Sequence, residues 1–108
     1  MNEASHPIRL LLVGAGNVGR RVLELLAQKG PVLRDRFGLT FVLVGVADSS
    51  GVAAQSAGLD LAEVVRLTAA GRGLATYPGA GRPGAAAQEM VETVPADLLL
   101  EAAPANLR

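Results

Sequence analysis

An apolar run, Ile8 to Val13, ends at three glycines in the spacing Gly14-Ala15-Gly16-Asn17-Val18-Gly19, and a segment of helical periodicity follows at once. This junction limits the possible folds more than any other part of the chain. A short, continuous apolar run suits a strand covered on both faces, as in a parallel sheet. Each glycine then has its own work. Gly14 permits a sharp turn out of the strand, Gly16 lets a ligand approach the backbone, and Gly19 allows close packing of helix on sheet. A helix that starts here presents free amides and the positive end of its dipole to an anion.

The pattern downstream extends the strand–turn–helix. The spacing predicts a helix over residues 17–29 with Val18, Val22, Leu25 and Leu26 on its apolar face, Gly30 as its C-terminal cap and Pro31 as its stop. Residues 31–38 then read as a polar connection. A second strand is expected over 39–47, with Ser49, Ser50 and Gly51 as a turn after Asp48. Asp60 opens a second helix, Glu63 completes a capping box with it, and Gly71 ends it. Residues 71–84 read as loop with at most a short strand at 74–77. A third helix over 85–94 stops at Pro95, and a last buried strand spans 97–101. The alternation implies a Rossmann-type, doubly wound α/β fold: a parallel sheet with helices on both faces, of which this chain supplies the N-terminal part, about half to two-thirds of a full dinucleotide-binding domain.

Asp48 strengthens this reading. A carboxylate at the end of the second strand can accept hydrogen bonds from the adenosine ribose. Its distance from the glycines exceeds the usual ~20 residues, which the 31–38 connection would explain. Its charge favours NAD, while Ser49, Ser50 and either Arg72 or Arg82 leave NADP open as the alternative. Arg20 or Arg21 could add a contact to phosphate. If the last strand lies beside the first, the loop after Glu101 borders the crevice where dinucleotides bind.

Composition excludes several other functions. Ten basic residues balance ten acidic ones, so there is no basic excess for a nucleic-acid partner. The absence of cysteine rules out disulfides and thiolate metal sites, and suits a cytoplasmic location. Nothing approaches the ~20 apolar residues of a membrane span. No metal-ligand cluster is present. His6, the only histidine, sits in a polar tail and is given no catalytic role. With two Phe and one Tyr, the core must be aliphatic.

Four segments together resemble the N-terminal NAD(P)-binding domain of homoserine dehydrogenases: residues 14–20, 44–51, 58–79 and 97–106. The resemblance implies the interconversion of homoserine and aspartate semialdehyde, an oxidoreductase step of threonine and methionine biosynthesis, in a cytoplasmic enzyme that is a homodimer at full length. It implies that Gly14, Gly16, Asn17, Val18 and Gly19 hold pyrophosphate and that Asp48 and Ser49 lie by the adenosine ribose. Ala103, Pro104 and Asn106 would lie by the nicotinamide ribose. Similar proteins usually carry Thr where this chain has Ala103, which would remove a hydroxyl contact. Residues 1–108 are expected to form one truncated cofactor domain, without catalytic residues, inactive by itself. The alternatives are the cofactor domain of an aspartate or sugar dehydrogenase, or a non-catalytic module that senses dinucleotides.

Overall fold

The computed structural model describes residues 7–14 and 16–102. Strand β1, Ile8–Val13, has the expected bounds and lies in the middle of the sheet. It pairs in parallel with β2, Phe41–Asp48, on one side and with β5, Leu98–Glu101, on the other. The last strand therefore does lie beside the first, as the sequence suggests.

The other edge differs from expectation. After β2 the chain folds back through Ser49 and Ser50 into β3, Gly51–Ala54, and later returns as β4, Gly81–Pro83, both antiparallel to their neighbours. The order is β4-β3-β2-β1-β5, a mixed sheet rather than a wholly parallel one. Gly51 makes the tight hairpin possible. Its φ is 147°, and a Cβ there would collide with the Arg82 carbonyl of β4. Between Leu10 and Leu11 the register to β2 slips by one residue, so that Val44 and Gly45 both turn to one face. Such a bulge bends a strand and re-aims its side chains. Gly45 suits it because a Cβ would lie 2.6 Å from Leu11 Cδ2 and 2.8 Å from Met90 Sδ.

Helix α1 spans Asn17–Phe37 and passes straight through the expected stop at Pro31. A residue before proline normally avoids helical geometry because its Cβ meets the proline ring. Gly30 has no Cβ, so that clash does not arise. The cap is Gly38, whose φ of 67° turns the chain while its amide donates to the Arg34 carbonyl at 3.1 Å. The long separation between the glycines and Asp48 thus comes from extra helix, not from a loop. Pro31 still offers no amide to the Ala27 carbonyl. Pro31→Ala should restore that bond and raise stability by roughly 2 kcal/mol, seen as a higher midpoint in thermal unfolding; an unchanged or lower midpoint would argue against a continuous helix.

The inward face of α1 also differs from expectation. Gly19 and Leu23 are buried and Leu26 packs on the core, whereas Val18 is 63% and Leu25 48% exposed. Helix α2, Leu61–Ala69, shares this side of the sheet. Asp60 caps it as expected, its Oδ1 accepting from the Ala62 amide at 3.1 Å. No capping box forms, because the Glu63 carboxylate instead accepts from the Arg66 guanidinium one turn on. That hydrogen bond, with the charge behind it, holds the Glu63 carboxyl below the usual carboxylate range. The stretch after Gly71 contains a 3-10 turn at Leu74–Thr76 in place of the short strand. Tyr77 anchors it, accepting the Asp60 amide at 2.8 Å on its hydroxyl.

Helix α3, Ala87–Thr93, covers the opposite face. The larger core lies between the sheet and the α1/α2 layer, centred on Leu10, Leu12, Leu23, Val46, Val64 and Leu74. The smaller one joins Leu11, Val44, Ala47 and Val52 to Met90 of α3. Both are aliphatic, as the composition requires, with Tyr77 the one aromatic buried in either. β5 is less buried than its sequence suggests. Leu98 is 41% and Leu99 44% exposed, since among the described residues no strand pairs with its outer edge.

Candidate functional site

A cavity of about 660 Å³ opens at the C-terminal ends of β1 and β2. Its walls include Gly14 and Gly16 from the first turn, Asp48, Ser49 and Ser50 from the hairpin, and Thr68, Gly71, Arg72 and Gly73 from the end of α2 and beyond. Its position outside the carboxyl ends of parallel strands, at the mouth of a helix, is where α/β sheets bind ligands.

The three glycines have three different surroundings. Gly14 has φ 96°, a conformation that side chains disfavour, and its amide donates to the Ala47 carbonyl at 2.8 Å. Gly19 is buried against the turn, and a Cβ there would run into the Gly14 carbonyl. Gly16, the N-terminal cap of α1, has φ −75° and ψ −152°, accessible to any residue, and a Cβ there would meet no atom within 4 Å. Backbone conformation therefore explains Gly14 and packing explains Gly19, but neither explains Gly16. A side chain at Gly16 would find open space, and Gly16 itself borders the cavity. Among the described residues no side chain caps α1 and no acidic residue occupies its first turn, so none of them compensates its positive end beside the cleft.

Asp48 lies where the sequence places it, at the end of β2, but it is held by its own chain. Its Oδ1 accepts from the Ser50 amide at 2.9 Å and the Ser50 hydroxyl at 2.6 Å, and its Oδ2 from the Leu74 amide at 3.0 Å. The Ser50 Oγ in turn accepts from the Ala75 amide at 3.1 Å. These bonds tie the hairpin turn to the segment after α2.

The structure therefore brings Gly14, Gly16, Asp48 and Ser49 together around one cavity. Asn17 and Val18 are exposed in the first turn of α1 beside it, and Gly19 supports the turn from below. Arg21 pairs with Glu24 at 3.6 Å. Ala103, Pro104 and Asn106 lie outside the described residues, as do Ala15 and His6. Arg82 lines a different cavity, on the α3 side. Thr68, Gly71 and Gly73 are missing from the sequence-derived set. Nothing local marks them, and only the fold-back of β3 and β4 carries their segment to the cleft. Among the described residues no cluster of His, Asp or Glu could hold a metal ion, and no helix is long and apolar enough to cross a membrane.

Residues 3–107 match the family of glutamate/leucine/phenylalanine/valine dehydrogenases. The chain belongs to this dehydrogenase family. Its individual relatives include homoserine dehydrogenases. It is 30% identical over 98 residues to that of Methanocaldococcus jannaschii, covering 91% of this chain and 29% of the relative. It is 33% identical over 99 residues to the NAD(+)-dependent homoserine dehydrogenase of Pseudomonas canavaninivorans, covering 91% and 28%. The solved homoserine dehydrogenase of Thermoplasma acidophilum superposes with a TM-score of 0.70 at 29% identity, over 94% of this chain and 28% of that one. A hyperthermophilic archaeal homoserine dehydrogenase, solved in complex with NADPH, gives a TM-score of 0.73 at 24% identity, over 91% and 29%, a likeness of fold. The resemblance drawn from the sequence holds, and so does the Rossmann-type α/β class. The chain spans less than a third of the length of these relatives.

Proposed function

We propose that this chain is the dinucleotide-binding part of a homoserine dehydrogenase and that the cleft between the glycine turn and Asp48 receives NAD or NADP. The observation that carries the reading is Gly16, a position that borders the cavity and that the protein's own packing leaves free. Two linked phosphates fit there. The amides of the first turn of α1 would donate to them, and the dipole of a 21-residue helix would favour their charge. Gly14 and Gly19 set the turn, Asn17 and Val18 supply its backbone, and Asp48, Ser49 and Arg72 border the adenosine end. Ala103, Pro104 and Asn106 are assigned to the nicotinamide end by resemblance.

A bound nicotinamide would supply hydride chemistry, and the contribution of this chain is to hold and orient it. The reaction proposed for the whole enzyme joins homoserine and aspartate semialdehyde, within threonine and methionine biosynthesis in the cytoplasm. Substrate-binding and catalytic groups, and the surface of a homodimer, are assigned to sequence these relatives have beyond the matched part. Supporting this are relatives named homoserine dehydrogenase that match over nine-tenths of the chain. The family match favours a second reading, the oxidation of amino acids such as glutamate or leucine.

The first test is titration of the chain with NADH and NADPH, followed by nicotinamide fluorescence. Saturable binding that ADP-ribose displaces is expected, with no homoserine oxidation by the 108-residue chain alone. Absence of binding at millimolar dinucleotide would sink the reading. Turnover of homoserine against glutamate and leucine, assayed in a polypeptide of the relatives' length, separates the two substrates.

A further inference from the structure

We propose that the adenosine end of this cleft selects a 2′-phosphorylated dinucleotide, with Arg72 as the discriminating side chain and Asp48 as the residue that positions it. The inference rests on the dinucleotide reading above and adds to it a choice between the two cofactors.

The case begins with what Asp48 has left to give. An ionised carboxylate offers about four lone-pair positions. Three are taken by donors of the chain itself: the amide and hydroxyl of Ser50 and the amide of Leu74. A ribose without a 2′-phosphate presents two hydroxyls, and both could bind Asp48 only by displacing one of these donors. The same three donors offset part of the carboxylate charge, which weakens its repulsion of a phosphate.

These bonds also fix the opposite wall. Leu74 is tied to Asp48, Ala75 to Ser50, and Gly73 sits so close to Ser50 that a Cβ would lie 2.5 Å from the Ser50 Cβ. Arg72 immediately precedes this clasp, and its own amide donates to the Leu67 carbonyl at 2.9 Å. Its backbone is therefore held on both sides. Its side chain is exposed, borders the same cavity as Gly16 and Asp48, and makes no ion pair among the described residues. A guanidinium fork matches phosphate oxygens in charge and geometry, and the exposed Ser49 on the facing turn adds a hydroxyl donor. An uncommitted cation beside a carboxylate already in use suits a phosphate better than a bare sugar.

The experiment compares equilibrium binding of ADP-ribose and 2′-phospho-ADP-ribose to the chain by calorimetry. The wild type should bind the phosphorylated probe about tenfold or more tightly. Arg72→Ala should bring the two affinities together by weakening only the phosphorylated probe, and Arg72→Lys should keep part of the difference. Ser50→Ala, which loosens the clasp without touching the Arg72 charge, should also reduce the ratio; a merely structural role would lower both affinities equally and leave the ratio unchanged. Tighter binding of ADP-ribose by the wild type, or an Arg72→Ala variant that keeps the ratio, would overturn the proposal and leave dinucleotide binding intact. Failure of both probes to bind would remove the dinucleotide reading itself.

Discussion

Gly19→Ala should cost this fold roughly 3 kcal/mol or more, lower the thermal midpoint by about 12 °C or more, and abolish dinucleotide binding along with the turn it distorts. The argument is steric and local. A Cβ at this position enters the carbonyl of Gly14, which is backbone and has no rotamer in which to escape. Gly14 in turn is fixed by the hydrogen bond its amide donates to the Ala47 carbonyl of β2 and by the left-handed conformation that ends β1. The overlap can be relieved only by lifting α1 off the sheet, and Leu23, one turn further along the inward face, is fully buried there. A domain of this size has about 5–15 kcal/mol of stability in total, so the loss is a large fraction of it. Thermal unfolding of the purified variant followed by circular dichroism gives the answer. A midpoint within 2–3 °C of the wild type would mean that the helix does not pack as closely as the geometry requires.

The difference between what could and could not be read in advance follows from the range of the interactions involved. The central strands were legible because Ile8–Val13, interrupted only by Arg9, and the apolar part of β2 are short apolar runs of the kind that burial on both faces accommodates. The Asp60 cap was legible because its hydrogen bond reaches only two residues along the chain. The Gly30-Pro31 stop failed because the glycine lifts one of the two penalties a proline imposes on a helix. The proline forbids a preceding Cβ, and glycine has none. The apolar face of α1 was misplaced because the helix carries apolar residues on both sides. Contact with Gly14 puts Gly19 inward, and that contact decides which side is buried. Strands β3 and β4, four and three residues long and built from Gly, Ala, Val, Arg and Pro, have no periodicity to detect.

The same division runs through the cleft. Gly14, Gly16, Asp48 and Ser49 belong to strand ends and the turns that directly follow them, and their places around the cavity show in local spacing. Arg72 was visible only as one of two arginines, with Arg82, that could reach a 2′-phosphate, and the sequence did not choose between them. Its place in the cleft depends on bonds from Leu74 and Ala75 back to Asp48 and Ser50, across a gap of 25 or 26 residues. For Asp48 the position could be read but not its commitments. A carboxylate at the end of the second strand looks free in sequence, and the hydrogen bonds that occupy it come from an element with no signature of its own.

Gly16→Ala should have the opposite effect to Gly19→Ala: nearly unchanged stability with binding of NADPH or ADP-ribose weakened tenfold or more. The backbone at Gly16 lies at φ −75° and ψ −152°, so alanine enters without strain, and its Cβ touches nothing within 4 Å. Two small terms oppose each other. Alanine restricts the unfolded chain, worth roughly 0.4–1 kcal/mol in favour of folding, while as a helix N-cap it is worse than glycine by roughly 0.5–1 kcal/mol. The net change is within about 0.5 kcal/mol, a shift of a few degrees at most. The methyl group, however, stands in the cavity at the mouth of α1, where a phosphate must approach the backbone to reach the first-turn amides. Holding the phosphate off even by one methyl radius lengthens hydrogen bonds that weaken steeply with distance and lie in the strongest part of the helix field. Calorimetry and thermal unfolding on the same variant separate the two effects. Loss of stability would show that Gly16 serves packing after all, and undiminished affinity would show that the anion site lies elsewhere.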